Sequence, residues 1–546
     1  MTTWNEHTPN SKARMRPFVL KPYSREAPLM WQRVLAWVGA PILVLTCLVY
    51  GFFYALTTPY LIPQFAAPVL ILAAVTIWAL PDLRTAPTRS MEFLFFAFLY
   101  LDILWPGYLA IVLPGLPWIT PIRLAGFPLT LLLLVCVSVS KDFRAQTAQT
   151  IKAIPYLWQL TLAFSVIGFL SIGWSKGPMT SLNKFFDSQV NWTVIFFASC
   201  YIFRRKGVVE RWAAILWVTS VVLALIGLVE AKEEHVPWLG HIPSFIKADD
   251  EYVQHVLNGA RRLGSEKYRV QGTRSTSLGM AEFWALTTPF LMYYMAGAYK
   301  VWVKLAAGVS LALTVYCIYL TDARLGMVGF LISVLLFVLT WGILRWRRER
   351  GDLLGAAVVL AYPAIFLIFM GATFFVGRLK RMVWGGSHNT YSDHARIDQI
   401  NMGLPKLAHR PWGYGVGQGG EELGYHNLGG TLTIDTYYLL VALDYGIIGF
   451  FVYYATLLLV IGQAALQGLI RPAKERERAF LIPVAISLTA FFVIKSIYSG
   501  IENHSIVYMM MGMAAALVYR VKFEPDEGEA APAAVASAEL RPAPAG

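Results

Sequence analysis

A chain of 546 residues that is 57% hydrophobic and 14% charged is too poor in ionisable groups for a soluble globular protein, in which about a quarter of residues are charged. The net charge of +13 would suit nucleic acid, but the basic residues fall in short connections between long apolar runs, so membrane topology explains it instead. Composition therefore predicts an all-α, polytopic bundle of transmembrane helices.

In chain order, residues 1–33 are polar and basic and read as a cytoplasmic segment with no removable signal peptide. Apolar segments follow near 34–57, 60–80, 91–113, 125–140, 153–173, 186–203, 209–229, 279–298, 302–320, 326–344, 353–376, 436–466, 480–499 and 505–519. Each approaches the roughly 20 residues that cross a hydrocarbon core. Those at 60–80, 91–113 and 125–140 are short or broken by proline, so twelve to fourteen helices are expected. The short basic connections, such as "PDLRTAPTRS", "KDFRAQTAQTIK", "FRRKGVVER", "RWRRER" and "RPAKERER", all fall on one side. Both termini are thus expected in the cytoplasm, with a membrane domain over 34–520. The tail, 521–546, is rich in Ala, Pro and Glu and reads as disordered.

Two long loops, about 231–278 and 377–434, are expected on the periplasmic side. Neither has linker composition, and loops of that length usually carry function. All four cysteines (Cys47, Cys136, Cys200 and Cys317) lie in apolar runs, which argues against disulfides and a cysteine metal site.

Several polar residues stand out against this background. Arg324, in "YLTDARLGMVGFL", sits where two apolar runs meet at the outer rim, a costly place for a guanidinium without a partner. Its fork of donors suits a diphosphate; the plainer alternative is a snorkelling arginine paired with Asp322. Arg396 lies in "YSDHARIDQINMGLPKLAHRPWGYGVGQGG", in a short amphipathic helix with Ala395, Ile397, Ile400 and Leu404 apolar. The glycines that follow it either make a plain turn or bring backbone amides close to a ligand. They are not a nucleotide loop, because the Gly-Lys-Ser/Thr ending is missing. Arg269 and Arg274, in "EKYRVQGTRSTSLGMAEFWAL", lie just outside a helix expected to begin near Leu278, with Glu282 one turn into it. They are either a functional pair or an interfacial basic cluster. In "ADDEYVQH", Asp249, Asp250, Glu251 and His255 could hold a divalent cation, although a solvated loop face is commoner.

Taken in order, "RVQGT" (269–273), "TDARLG" (321–326), "SDHARIDQIN" (392–401), "RPWGYGVGQG" (410–419) and "DTYYLLVALDYGIIGF" (435–450) resemble the bacterial O-antigen ligase and polymerase superfamily of polytopic glycosyltransferases. The resemblance covers roughly 265–465. It implies that a glycan carried on undecaprenyl diphosphate is moved, outside the inner membrane, to an acceptor hydroxyl without metal, nucleotide or other cofactor. It further implies that Arg324 and Arg396 clamp the leaving diphosphate while a base on the opposite face takes the hydroxyl proton.

Where ligases of this superfamily have His-Asn, the present chain has Asp435-Thr436, eleven residues before Gly446. Asp435 is then either the base in place of histidine or the N-cap of the following helix. His426, in "GYHNLGG", keeps a His-Asn pair but stands twenty residues before Gly446. Arg269, Arg274, Arg410 and Tyr438 are the expected substrate-binding side chains. Asp444 is expected to face protein rather than lipid, with an arginine as its candidate partner.

The missing His-Asn favours a polymerase of lipid-linked repeats, building an exopolysaccharide or O-antigen, over a ligase acting on lipid A-core or protein. A secondary transporter, for which Asp102 is the main candidate, is disfavoured because the notable charges cluster at one rim. Expected partners are an undecaprenyl-diphosphate-linked glycan, a glycan or lipid A-core acceptor and membrane lipid, with a chain-length regulator and a flippase as further candidates; nucleic acid is not expected.

Overall fold

The computed structural model describes residues 72–82, 85–111, 119–246, 251–259, 267–348, 351, 353–377, 380, 390–426, 432–470 and 476–524. The basic N-terminal segment, the first apolar run, Cys47, Asp249 and Asp250 and the tail beyond 524 lie outside them. Contacts divide the chain into units 1–74 and 75–546, and the helices named here belong to the second.

The first helices are α1 (Thr88–Leu104), α2 (Pro121–Val139), α3 (Lys141–Lys152) and α4 (Leu157–Ser171). Next come α5 (Pro178–Ser188), α6 (Val194–Ile202), α7 (Val208–Glu233) and the short α8 (Glu251–Leu257). A π-helical turn, Gln189–Thr193, joins α5 to α6. Then follow α9 (Ser277–Ala296), α10 (Val301–Leu320), α11 (Arg324–Arg348) and α12 (Leu353–Phe375). The last are α13 (Thr390–His409), α14 (Gly419–Leu423), α15 (Tyr437–Ile470), α16 (Leu481–Ile494) and α17 (His504–Phe523).

Among the described residues, eight helices are long and apolar enough to cross a membrane: α2, α4 with its 3-10 extension to Trp174, α7, α10, α11, α12, α15 and α17. The fold is an all-α polytopic bundle.

Local chemistry sets the boundaries. Thr120 Oγ1 accepts the Arg123 N–H at 3.2 Å and Pro121 opens α2, a polar cap followed by a residue that needs no amide partner. Thr276 caps α9 in the same way through Gly279. α1 stops at Leu104 because Trp105-Pro106 follows, so the apolar run to 113 is only partly helical. "KDFRAQTAQTIK", expected as a connection, is helix α3: Ser140 caps it, and Phe143, Thr147, Thr150 and Ile151 form a buried face. α9, α16 and α17 are buried nearly all round, whereas α12 is exposed along most of its length.

The helices alternate, so the connections collect at two ends. At one end Glu477 accepts the Glu210 N–H at 3.2 Å and pairs with Arg520 at 2.8 Å, while Tyr293 donates to the Arg476 carbonyl. Arg144 pairs with Asp82 there, and Lys522 reaches the Ala153 carbonyl. The short basic connections all meet at this end. The described ends of the two long loops both reach the 499–502 segment at the other end, Ser275 through Glu502 and Ile434 through Ser499.

Candidate active site

At the long-loop end, α13 lies against the first turns of α15. Gln399 is fully buried, and its Oε1 accepts the Asp435 N–H at 2.8 Å. Arg396 precedes Gln399 by three residues, hence on the same face of α13, and its charge acts on the Asp435 carboxyl. Residues 39 positions apart are thereby brought together. Asp435 is half-buried. Loss of water around it pushes its carboxyl above the usual aspartate range, while Arg396, Thr433 (Oγ1 to Oδ1, 3.5 Å) and Gln399 pull it back. Asp435 is not the helix cap. The helix begins at Tyr437, and the Thr436 carbonyl takes the Leu440 N–H, which leaves Asp435 one residue outside.

Arg324 is the first residue of α11 and half-buried. Arg269 Nε donates to the Thr321 carbonyl at 3.0 Å, so both arginines border the α10–α11 turn. The residues flanking Arg324, Ala323 and Leu325, pack with Ala281, Ala285, Ile494 and Tyr498. Next in the chain, Ser499 donates to the Ile434 carbonyl at 2.5 Å, and the Lys495 carbonyl takes the Tyr437 N–H at 3.0 Å. Segment 494–499 is thus a strut with the Arg324 turn on one side and the Asp435 segment on the other.

Other expected site residues are committed elsewhere. Arg274 is 5% exposed; its Nη1 donates to the Asp102 carbonyl at 2.9 Å and its Nη2 lies 3.8 Å from that carboxylate. Asp102, the transporter candidate, is answered by this arginine and by Ser505. Glu282 pairs with Lys495 at 2.9 Å, both fully buried, and with Asn503 at 2.9 Å. The Tyr438 hydroxyl donates to the Phe492 carbonyl at 2.7 Å, inside the fold. Arg410 lies 5.4 Å above the Tyr414 ring. His426 is exposed on a single β-bridge with Leu432; Asn427 lies outside the described residues.

The glycine-rich stretch turns its amides inward rather than towards a ligand. α15 is broken at Gly446, whose φ of 75° and ψ of −179° suit glycine alone. Loop 410–419 fills the break. Tyr414 N–H donates to the Leu443 carbonyl at 2.7 Å and Gly415 N–H to Asp444 at 3.1 Å. In return the Pro411 carbonyl takes the Ile447 N–H at 2.8 Å. A Cβ on Gly446 would collide with Pro411 and Trp412, and one on Gly413 would collide with Gly446. Asp444 faces protein, as expected, but it is held by the amides of Gly417, Gln418 and Gly419 and not by an arginine. Its distance from the Gly419 amide is 2.6 Å. The glycines "GYGVG" and the lone glycine of "DYGII" belong to one device, a pairing that spacing does not reveal. Gln399 was equally hidden, because only burial distinguishes it from other polar residues of α13.

No curated protein matches this chain. Residues 309–454 match the family model described as O-antigen ligase. The matched stretch runs from α10 into α15 and contains Arg324, Arg396, Gln399, the glycine loop and Asp435; Arg269 and Arg274 precede it. The matched stretch takes in four of the five ordered motifs, from "TDARLG" to "DTYYLLVALDYGIIGF", so over residues 309–454 the chain is similar to the O-antigen ligase family.

Proposed function

We propose that the protein is an inner-membrane polymerase that joins undecaprenyl-diphosphate-linked oligosaccharide repeats into an exopolysaccharide or O-antigen at its periplasmic face. The supporting observation is that α13, which carries Arg396, holds Asp435 through Gln399, within the matched segment and at the end opposite the basic connections. The acceptor hydroxyl attacks the anomeric carbon of the donor glycan and gives its proton to Asp435. The bond from that carbon to the diphosphate oxygen breaks, and undecaprenyl diphosphate departs with the electron pair. Arg396 and Arg324 stabilise the charge that grows on the leaving diphosphate. A carboxyl raised by partial burial suits the base, because a stronger base takes the proton more readily.

A second reading, a ligase that delivers finished polysaccharide to lipid A-core, draws on the family description and on exposed His426 next to Asn427. Complementation of a deletion strain with Arg324→Ala, Arg396→Ala and Asp435→Ala separates the two. A polymerase defect shortens the glycan, whereas a ligase defect leaves long polymer on the isoprenoid lipid and removes the lipopolysaccharide ladder. Normal glycan from all three variants would overturn the assignment.

A further inference from the structure

Gln399 is a fully buried polar side chain in an otherwise polar, loop-borne helix, and it touches the site on both sides. Through its own helix it is fixed three residues from Arg396. Through Oε1 it holds the Asp435 backbone at 2.8 Å. Its Nε2 is also buried and closes no hydrogen bond of ordinary length, although the same amide group holds the Asp435 backbone. A primary amide is the side chain that can accept from a backbone N–H and donate to a carboxylate at once. Glutamate in its place would keep the first contact and turn the second into repulsion.

We propose that Gln399 is a positioning residue that locks Asp435 to α13, and so to Arg396, and donates through Nε2 to the Asp435 carboxylate in its proton-accepting form. This rests on Asp435 being the base. Among the described residues, the groups facing Asp435 are few. Arg396 is the charge acting on it from α13, and Thr433 is its neighbour on its own segment. In the strut, Ser499 is engaged with Ile434 and Lys495 with Glu282 and the Gly500 carbonyl. His426, on the adjoining bridge, is exposed.

The test is the rate of undecaprenyl diphosphate release from the lipid-linked glycan of host membranes, followed from acid to neutral pH with full-length protein. Loss of the amide donor leaves the carboxylate less stabilised, so its pKa rises and the acid limb of the profile moves to higher pH. Gln399→Glu is expected to move that limb up by about one unit, through the added like charge, and to leave the donor KM within about twofold. Gln399→Asn, with the amide retained on a shorter arm, is expected to keep the limb in place and lower the plateau; it serves if the Glu variant does not fold. Gln399→Met, which removes the donor without adding a charge, is also expected to move the limb up, whereas a purely structural role would lower that variant's rate equally at every pH. The inference is overturned if Asp435→Asn is inactive while Gln399→Glu keeps the wild-type limb, or if Gln399→Asn moves it. Full activity of Asp435→Asn would instead remove the base assignment, and this inference with it.

Discussion

Both ends of the bundle hold buried ion pairs, and the long-loop end adds half-buried groups of an opposite kind. At the basic end Arg520 is fully buried, Glu477 answers it, and Glu477 also holds the Glu210 amide, so three elements are latched by one carboxylate. At the long-loop end Arg324, Arg396 and Asp435 are half-buried, at the start of a helix, on a loop-borne helix and just outside a third helix. A buried, paired charge is a fastener. In the proposed reaction, a half-buried charge that shares its field with a desolvated acid acts on the substrate that arrives.

The sharpest way to break this contrast is at the half-buried end. Arg396→Ala and Asp435→Asn are each expected to lower glycan transfer by about 10²–10⁴-fold while folded protein in the membrane stays at wild-type level. Yield in detergent and glycan ladders from the same cells read both quantities. The raised Asp435 pKa has a second consequence. Folding is opposed by a carboxyl that must ionise where water is scarce, and that opposition grows as pH rises above about 3.9, the ordinary aspartate value. Asp435→Asn should therefore be at least as resistant to thermal unfolding as wild type at neutral pH; a lower midpoint would assign Asp435 to the fasteners.

Fasteners should respond in the reverse sense. Lys495→Met leaves Glu282 buried without its cation and is expected to cost about 3–5 kcal/mol, read as a lowered unfolding midpoint. Gly446→Ala forces a side chain into Pro411 and Trp412 at a backbone geometry reserved for glycine. About 1–3 kcal/mol is expected there, with transfer lowered because the Asp435 end of α15 shifts. The smallest effect belongs to Arg410→Lys, where a cation remains over Tyr414. A change below about 1 kcal/mol is expected, and a large loss of donor binding would promote Arg410 to a contact residue.

Helix positions were readable because hydrophobicity along the chain reports what must be kept from water. The run 353–376 became Leu353–Phe375, and 302–320 became Val301–Leu320. The misses have physical causes. α3 is charged enough to read as a connection, and its apolar face becomes meaningful only against α6 and α17. The run 480–499 ends as helix at Ile494 because Lys495 turns to Glu282 and the chain becomes the strut. Arg274 looked like a rim cation because its partner, Asp102, lies 172 residues away in sequence. The break in α15 was invisible because the apolar pattern continues through Gly446, and Gln399 was unreadable because tertiary contact alone buries it.

The interrupted α15 has a mechanical consequence. Residues 437–445 are moored to the loop that enters at Gly446, so the long lower shaft, 447–470, can lean as the bilayer thins or thickens while Asp435 keeps its station. Turnover in vesicles of shorter or longer acyl chains should then vary little.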